Sequence, residues 1–265
     1  MKTKVVFFIL LFYLISQGNS FAGKKDTLVT DGKHFIGVGA RLWNASKDFQ
    51  KEDWIKLGVI TGITGMLFFI DDDIQQFALK HQNSTNDRIF NLDKIYGNKY
   101  TIAMTVGIYG LGFIFDEPEI RRMGLNSFES FLYSALLMST LKMVFGRHRP
   151  DVGDGQWFFE PGQIEDPYQS LPSGHTTVSM AVSTALAKSI DNVLWKIFWY
   201  SGGALVAMSR IYHDRHWVSD VFLGGAIGYY VADFVVKHDS ESGKNLTGKI
   251  LPFANLKGIG LTINF

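Results

Sequence analysis

Apolar residues fall along the chain in blocks separated by polar connections, and most blocks are longer than a strand needs. Six of them run over 54–70, 101–115, 127–145, 175–188, 193–209 and 219–236, rich in Leu, Ile, Met, Ala, Phe and Gly. That length and composition predict helices. Polar residues gather in the connections: Asp71, Asp72 and Asp73 and the residues after them, then 116–126, then the long segment 146–173. A polar, turn-rich stretch follows residue 24, and a polar tail runs over 239–249. At the end of the chain Ile259, Leu261, Ile263 and Phe265 alternate with other residues, which predicts one short strand. No internal repeat or low-complexity tract interrupts the pattern. The expected fold class is all-α, a helical bundle of about six core helices with a short strand-like C-terminal tail.

The first residues carry a different pattern. Lys2 and Lys4 precede an apolar run over 5–15, and Gly18, Ser20 and Ala22 follow it. A charged start, a short apolar run and small residues predict a secretory signal peptide over 1–22, or an uncleaved signal anchor. Cleavage after Ser20 and after Ala22 fit equally well. The expected organisation is then a signal at 1–22, a polar N-terminal segment at 23–53, a helical domain at 54–238 and a tail at 239–265. The protein is expected in the cell envelope with its site on the periplasmic side, either membrane-associated or soluble.

The helices leave the membrane question open. A spanning helix needs about 20 apolar residues, whereas the charge-free stretches here are shorter, at 57–70, 100–115, 197–209 and 221–232. The mean hydropathy of +0.07 is low for a chain that crosses a membrane many times. If an exported start were followed by three spanning segments, the connection 146–173 would face the cytoplasm. Either some blocks are buried core helices, or the first run is not an export signal.

Composition narrows the partners. Lys and Arg number 26 against 25 Asp and Glu, so no basic excess points to nucleic acid. The absence of cysteine excludes disulfides, thiolate nucleophiles and Cys-based zinc sites. Aromatic residues make up 14% of the chain, 22 of them Phe, enough for a large core or a lipid-facing surface.

Candidate chemistry sits in three stretches at the edges of the apolar blocks. In the first, Lys142 and Arg149 are seven residues apart, so they share a face if the helix persists, and Pro150 then ends it. Two cations aimed at one spot make an anion site, and the guanidinium fork suits phosphate. In the second, Pro172-Ser173-Gly174-His175, Ser173 takes the N-cap position of the following helix. The free N–H groups and dipole there favour a bound phosphate, Gly174 allows close approach, and His175 stands at the mouth as a proton donor. In the third, His216 and Asp220 are four apart, so that on one helical face the carboxylate can accept the imidazole Nδ1–H and leave Nε2 for attack. Arg210 adds a third cation. His213 has Trp217 at its fourth position and lacks such an orienting carboxylate, and a zinc site from His213 and His216 lacks a third ligand. Taken singly, each stretch also reads as ordinary structure: snorkelling cations, a capped helix, a helical ion pair.

Together the three stretches resemble the signature of the type 2 phosphatidic acid phosphatase (PAP2) superfamily, K-x6-RP, PSGH and SR-x5-H-x3-D, at every defined position and in order, from Lys142 to Asp220. The resemblance implies a metal-independent phosphatase without a cofactor. Lys142, Arg149 and Arg210, with the Ser173 hydroxyl and the Gly174 N–H, would bind the phosphoryl oxygens. His216 would attack phosphorus, Asp220 would orient it, and His175 would protonate the leaving oxygen and then activate water. Relatives of this kind act on lipid phosphates (phosphatidic acid, phosphatidylglycerol phosphate, undecaprenyl pyrophosphate, lipid A), and others are soluble broad-specificity acid phosphatases of the periplasm. The expected partner is a phosphorylated lipid or a small phosphate ester. The vanadium haloperoxidases share the anion site, but this chain is short for them. A non-enzymatic helical envelope protein is the remaining alternative, and the intact set of site residues argues against it. Arg147 and His148 find no role in this reading, and oligomeric state is not legible.

Overall fold

A computed structural model of the protein describes residues 21–242, 249–255 and 258–264. The chain divides into two compact units, Met1–Arg41 and Leu42–Phe265. In the first, the described residues are helical, within α1 (Phe21–Asn44). Here the structure departs from the polar, turn-rich reading: that stretch contains no proline, and its glycines are carried inside the helix at a modest propensity cost. The expected export signal lies outside the described residues except at positions 21 and 22.

The second unit contains α2 (Lys51–Phe68), α3 (Asp71–Lys80), α4 (Ser84–Phe90), α5 (Lys99–Ile114), α6 (Pro118–Phe145), α7 (Gly174–Ser189), α8 (Val193–Tyr212) and α9 (Val218–Ser242). The six apolar blocks are α2 and α5 to α9. Helix α6 starts at Pro118 instead of 127, because proline at a first helical position costs no hydrogen bond and its φ is already helical. The short helices α3 and α4 arise in a connection that hydrophobic patterning leaves blank. Three aspartates in the first turn of α3 favour its positive end. The Asn83 side chain caps α4, accepting from the N–H groups of Thr85 at 3.1 Å and Asn86 at 3.0 Å. Helices α2 and α3 meet at a 59° bend.

Helix α7 is the centre of the bundle. Residues Ala181 to Ala187 are all buried, and α6, α8 and α9 pack around them. Tyr96, Phe131, Val178, Val182, Leu186 and Val206 form the main apolar cluster. Helix α9 lies unusually close to α7: a Cβ at Gly228 would sit 2.2 Å from the Thr177 carbonyl oxygen, and one at Gly224 2.7 Å from that of Ser173. Helix α9 also contacts α2 and α6, and α5 packs on α6.

The radial distribution of polarity is partly inverted relative to a water-soluble bundle. Thr101, Thr105, Ser127, Ser130, Ser134, Ser183 and Thr184 are buried, while Val59, Met66, Val106, Leu111, Leu136, Val144, Phe198 and Met208 are exposed. Among the described residues two helices, Pro118–Phe145 and Val218–Asp239, are long and apolar enough to cross a membrane, and a third span results if α2 and α3 count as one bent pair.

The C-terminal tail forms a two-stranded antiparallel hairpin, β1 (Lys249–Asn255) and β2 (Gly258–Asn264), with Lys249 opposite Asn264 and Asn255 opposite Gly258. The sequence predicted only its second strand, since Pro252 demotes the first.

Candidate active site

The three motif stretches meet at one end of the bundle, where α6 and α8 finish, α7 and α9 begin, and the segment 146–173 folds over. Lys142 lies in the last turn of α6 and is buried. The helix does not persist from Lys142 to Arg149 as the seven-residue spacing suggested. It stops at Phe145 because Gly146 takes a left-handed conformation, φ 58°, where a Cβ would lie 1.8 Å from the Glu160 carbonyl oxygen. The turn is pinned by Glu160 N–H donating to Gly146 O at 2.8 Å and Ser170 N–H donating to Arg147 O at 2.8 Å. The two cations therefore converge through a loop, with the Lys142 ammonium donating to the Gln169 carbonyl.

Arg149 is fixed on every side. Its Nε donates to the Asp166 carbonyl at 2.8 Å, Nη2 to Asp166 Oδ1 at 2.7 Å, and Nη1 to the Arg215 carbonyl at 2.9 Å. Nη1 also lies 3.2 Å from His216 Nε2. A guanidinium only donates, so Nε2 is the acceptor and the ring proton is on Nδ1. Ser170 Oγ lies 3.4 Å from that Nδ1, and Asp220 Oδ2 lies 3.6 Å from it. Asp220 is held in turn: Oδ2 accepts from the Ser170 hydroxyl at 2.5 Å and the Trp217 N–H at 2.9 Å. His216 sits in the turn before α9, not on a shared helical face with Asp220, because α9 begins only at Val218. The pair forms nonetheless. Burial first, and then the charges of Lys142, Arg149 and Arg210, hold the His216 imidazole well below its ordinary value. The result is an uncharged ring with a lone pair at Nε2, facing three cations.

His175 stands in the first turn of α7 and is pushed down to about 4, by burial and then by Arg210. Arg210 itself donates through Nη1 to Asp93 Oδ2 at 2.5 Å. Ser173 occupies the N-cap position, but its hydroxyl pairs with Thr176 Oγ1 at 2.9 Å and does not cap a backbone N–H. A Cβ at Gly174 would meet Lys142 Cε at 3.6 Å, which places that backbone beside the ammonium stem. The structure thus gathers Lys142, Arg149, Ser173, Gly174, His175, Arg210, His216 and Asp220 at one end of the bundle. His213 is not among them: its Nε2 lies 3.2 Å from the Phe90 carbonyl and 3.9 Å from Asp93 Oδ1, the carboxylate that pairs with Arg210.

Sequence reasoning missed several supporting residues: Ser170, Asp93, Asp166, and Arg147 with Asp71. The three consecutive aspartates opening α3 were a visible signal for Asp71. Ser170, Asp93 and Asp166 carried none, since a polar residue in a connection is the common case. His148 is also placed. Its ring lies between Phe158 and Tyr168, centroids 4.8 Å and 4.6 Å away, with Nδ1 2.8 Å from Asp154 Oδ2. Among the described residues no group of three or more His, Cys, Asp or Glu side chains is arranged to hold a metal ion.

The chain is similar to several proteins named as phosphatases. Over 193 residues, 69% of this chain, it is 24% identical to a lipid A 1-phosphatase of Porphyromonas gingivalis, and over 146 residues, 55% of the chain, 26% identical to an undecaprenyl-diphosphatase of Sulfolobus acidocaldarius. The chain spans 40% of the length of the first and 66% of the second. Its fold matches the crystal structure of a transmembrane PAP2-type phosphatidylglycerolphosphate phosphatase from Bacillus subtilis, with a TM-score of 0.55, 22% identity, and coverage of 70% of this chain and 96% of that one. Residues 124–243, which carry all three motif stretches, match the PAP2 superfamily model.

Proposed function

We propose that the protein is a membrane-associated phosphatase that hydrolyses the phosphate ester or diphosphate of a lipid through a phosphohistidine at His216. The observation that carries this reading is the His216 ring: uncharged, with its Nε2 lone pair 3.2 Å from Arg149 Nη1 and its Nδ1 side backed by Ser170 and Asp220. Lys142, Arg149 and Arg210 supply the positive charge that the equatorial phosphoryl oxygens require, which is the main electrostatic need of phosphoryl transfer.

In the first step His216 Nε2 forms a bond to phosphorus as the bond to the leaving oxygen breaks, and His175 gives that oxygen a proton. In the second, His175 takes a proton from water, whose oxygen attacks phosphorus and frees His216. Asp220 and Ser170 hold the Nδ1–H and offset the positive charge on the ring between the two steps. A phosphate dianion beside His175 opposes the surrounding cations and raises its proton affinity, which favours the charged acid when substrate is present.

The lipid nature of the substrate is supported by the partly inverted polarity of the bundle, because apolar side chains facing outward and hydroxyls facing inward suit a hydrocarbon surround. It is supported also by relatives named for lipid A and undecaprenyl phosphates. Helices α6 and α9, with the α2–α3 pair, are the elements read as entering the membrane. The pattern of residues 1–22 supports a place in the cell envelope with the site on the outer side. Asp93 reaches Arg210 directly and Asp71 reaches Asp220 through Arg147, which supports a phosphatase domain that includes α2 to α4, as in the expected 54–238.

The test is phosphate release in detergent from a lipid monophosphate, a lipid diphosphate and a water-soluble phosphate ester at equal concentration, with His216→Ala alongside. Preference for either lipid, lost in His216→Ala while orthovanadate still binds, is the expected result. Equal turnover of the soluble ester would remove the lipid assignment, and repeated turnover by His216→Ala would remove the nucleophile.

A further inference from the structure

Arg147 lies next to the proposed chemistry and is unused by it. Its side chain is wholly buried, with the guanidinium 4.0 Å from the centre of the Phe68 ring and 5.4 Å from that of Trp217. Nη1 donates to Asp220 Oδ1 and to Ser219 Oγ, each at 2.7 Å. Nη2 donates to Asp71 Oδ2 and to the Gln156 carbonyl, each at 2.7 Å, and Nε reaches the same carbonyl at 3.0 Å. Asp71 accepts twice more from Ser219, from its N–H at 2.9 Å and its hydroxyl at 2.5 Å. Three buried ionic groups are an expensive way to fill a core, since their desolvation offsets much of their attraction. Apolar side chains of similar size would serve packing as well.

We propose that Arg147 and Asp71 are positioning residues for the reaction at His216, holding the Asp220 carboxylate in register and leaving one net negative charge to face the imidazole. This rests on the reading of His216 as nucleophile. The geometry follows from the division of oxygens. Arg147 takes Oδ1 of Asp220, so the carboxylate cannot rotate, and Oδ2 stays on the side of Ser170 and His216 Nδ1. The charge follows from the count of ions. Arg147 alone would cancel Asp220 and leave nothing for a positively charged ring. With Asp71 the group carries one negative charge while His216 is neutral, and is balanced when the phosphorylated ring is positive. A guanidinium can do this because its two Nη atoms reach two carboxylates at once, whereas an ammonium is a point charge. Asp71 opens α3 immediately after the 59° bend, so the break between α2 and α3 is what delivers the second carboxylate.

The experiment compares wild type, Arg147→Met, Arg147→Lys, Asp71→Asn and Arg122→Gln in the full chain in detergent. It reads kcat, KM and Tm, together with the tautomer of His216 from 15N-histidine NMR. Arg122 pairs with Asp239 at the opposite end of the bundle and serves as the control for general loosening. Arg147→Met and Asp71→Asn are expected to lower kcat about 100-fold, the scale of a misplaced reacting group, with KM little changed, and to mix the His216 tautomers. Arg147→Lys is expected to recover Tm while its kcat stays nearer that of Arg147→Met than wild type. Arg122→Gln is expected to lower Tm and leave kcat and the spectrum alone. Unchanged kcat in folded Asp71→Asn, a wild-type His216 tautomer in the variants, or an equal kcat loss in Arg122→Gln would each overturn the proposal. If Arg147→Met does not fold, Asp71→Asn decides. A wild-type protein that releases no phosphate would defeat the nucleophile reading, and the tautomer comparison would still decide this one.

Discussion

Replacing Gly224 by alanine adds one methyl group where α9 presses on the start of α7 beside the candidate site. The new Cβ would lie 2.7 Å from the Ser173 carbonyl oxygen and 2.9 Å from Thr177 Oγ1, some 0.7 Å inside the 3.4 Å at which ordinary contact begins. Neither neighbour can yield cheaply. The Ser173 carbonyl already accepts from the Thr177 N–H at 2.9 Å and its hydroxyl at 2.8 Å, and the Ser173 N–H donates to the Asp220 carbonyl at 3.0 Å. The methyl must therefore push the start of α7 away from α9, parting Ser173, Gly174 and His175 from His216 and Asp220. Overpacking of this kind costs about 1–3 kcal/mol, against which alanine recovers about 1 kcal/mol of helix propensity. Activity should suffer more than stability, since a shift approaching 1 Å at reacting groups costs about 100-fold in rate. The neighbouring Gly225 is the matched control, because its Cβ would meet Thr176 Cγ2 at an ordinary 3.8 Å. Phosphate release and Tm measured on both variants separate the effects. Gly224→Ala should lose most of its kcat at a Tm within a few degrees of wild type, and Gly225→Ala should keep its kcat and gain in Tm. Equal activity of the two variants would refute the claim that the α7–α9 contact sets the geometry of the site.

Three further outcomes are expected. His175 should titrate near 4 in the free protein, and orthovanadate should raise that value by about 1 to 3 pH units through its opposing charge, as read by NMR; an unmoved His175 would remove it as the proton donor. Because the folded value lies below the ordinary 6.5, the folded form holds fewer protons, so the stability tied to His175 is complete above pH 6.5 and falls as pH drops toward 4, a loss that vanadate should reduce in thermal melts. Phosphate release should persist after exhaustive treatment with EDTA, since Lys142, Arg149 and Arg210 supply the charge; activity lost to EDTA and restored by a divalent metal would reject that account.

The sequence made the site more legible than its setting. Lys142, Arg149, His175, Arg210, His216 and Asp220 stand at fixed spacings that chemistry constrains, so type and interval together name them. The path that joins them was not legible, because Gly146 ends α6 by a backbone conformation that hydrophobic patterning does not report. The six long helices showed as apolar blocks, whereas α4 is held by its Asn83 cap and by distant Tyr212, whose hydroxyl donates to Asp87 Oδ1 at 2.7 Å, and α3 is held through Asp71 by Arg147 and Ser219. The aspartate run marked Asp71, but its link to Arg147, Ser219 and Asp220 was invisible for a related reason: the partners lie 73 and 148 residues apart in the chain, and no local pattern records a buried ion network.

That separation also governs when the protein can act during its own synthesis. Asp71 is made early, the loop at 147–149 midway and Ser219 late, and the carboxylate of the first bonds the backbone of the last. A nascent chain that stops before α9 lacks Asp220 and Ser219, and so lacks the support of the proposed nucleophile His216. On the proposed mechanism, a ribosome-bound or truncated chain that has exposed Lys142, Arg149 and Arg210 is still chemically silent, and hydrolysis would begin only once the whole bundle has closed.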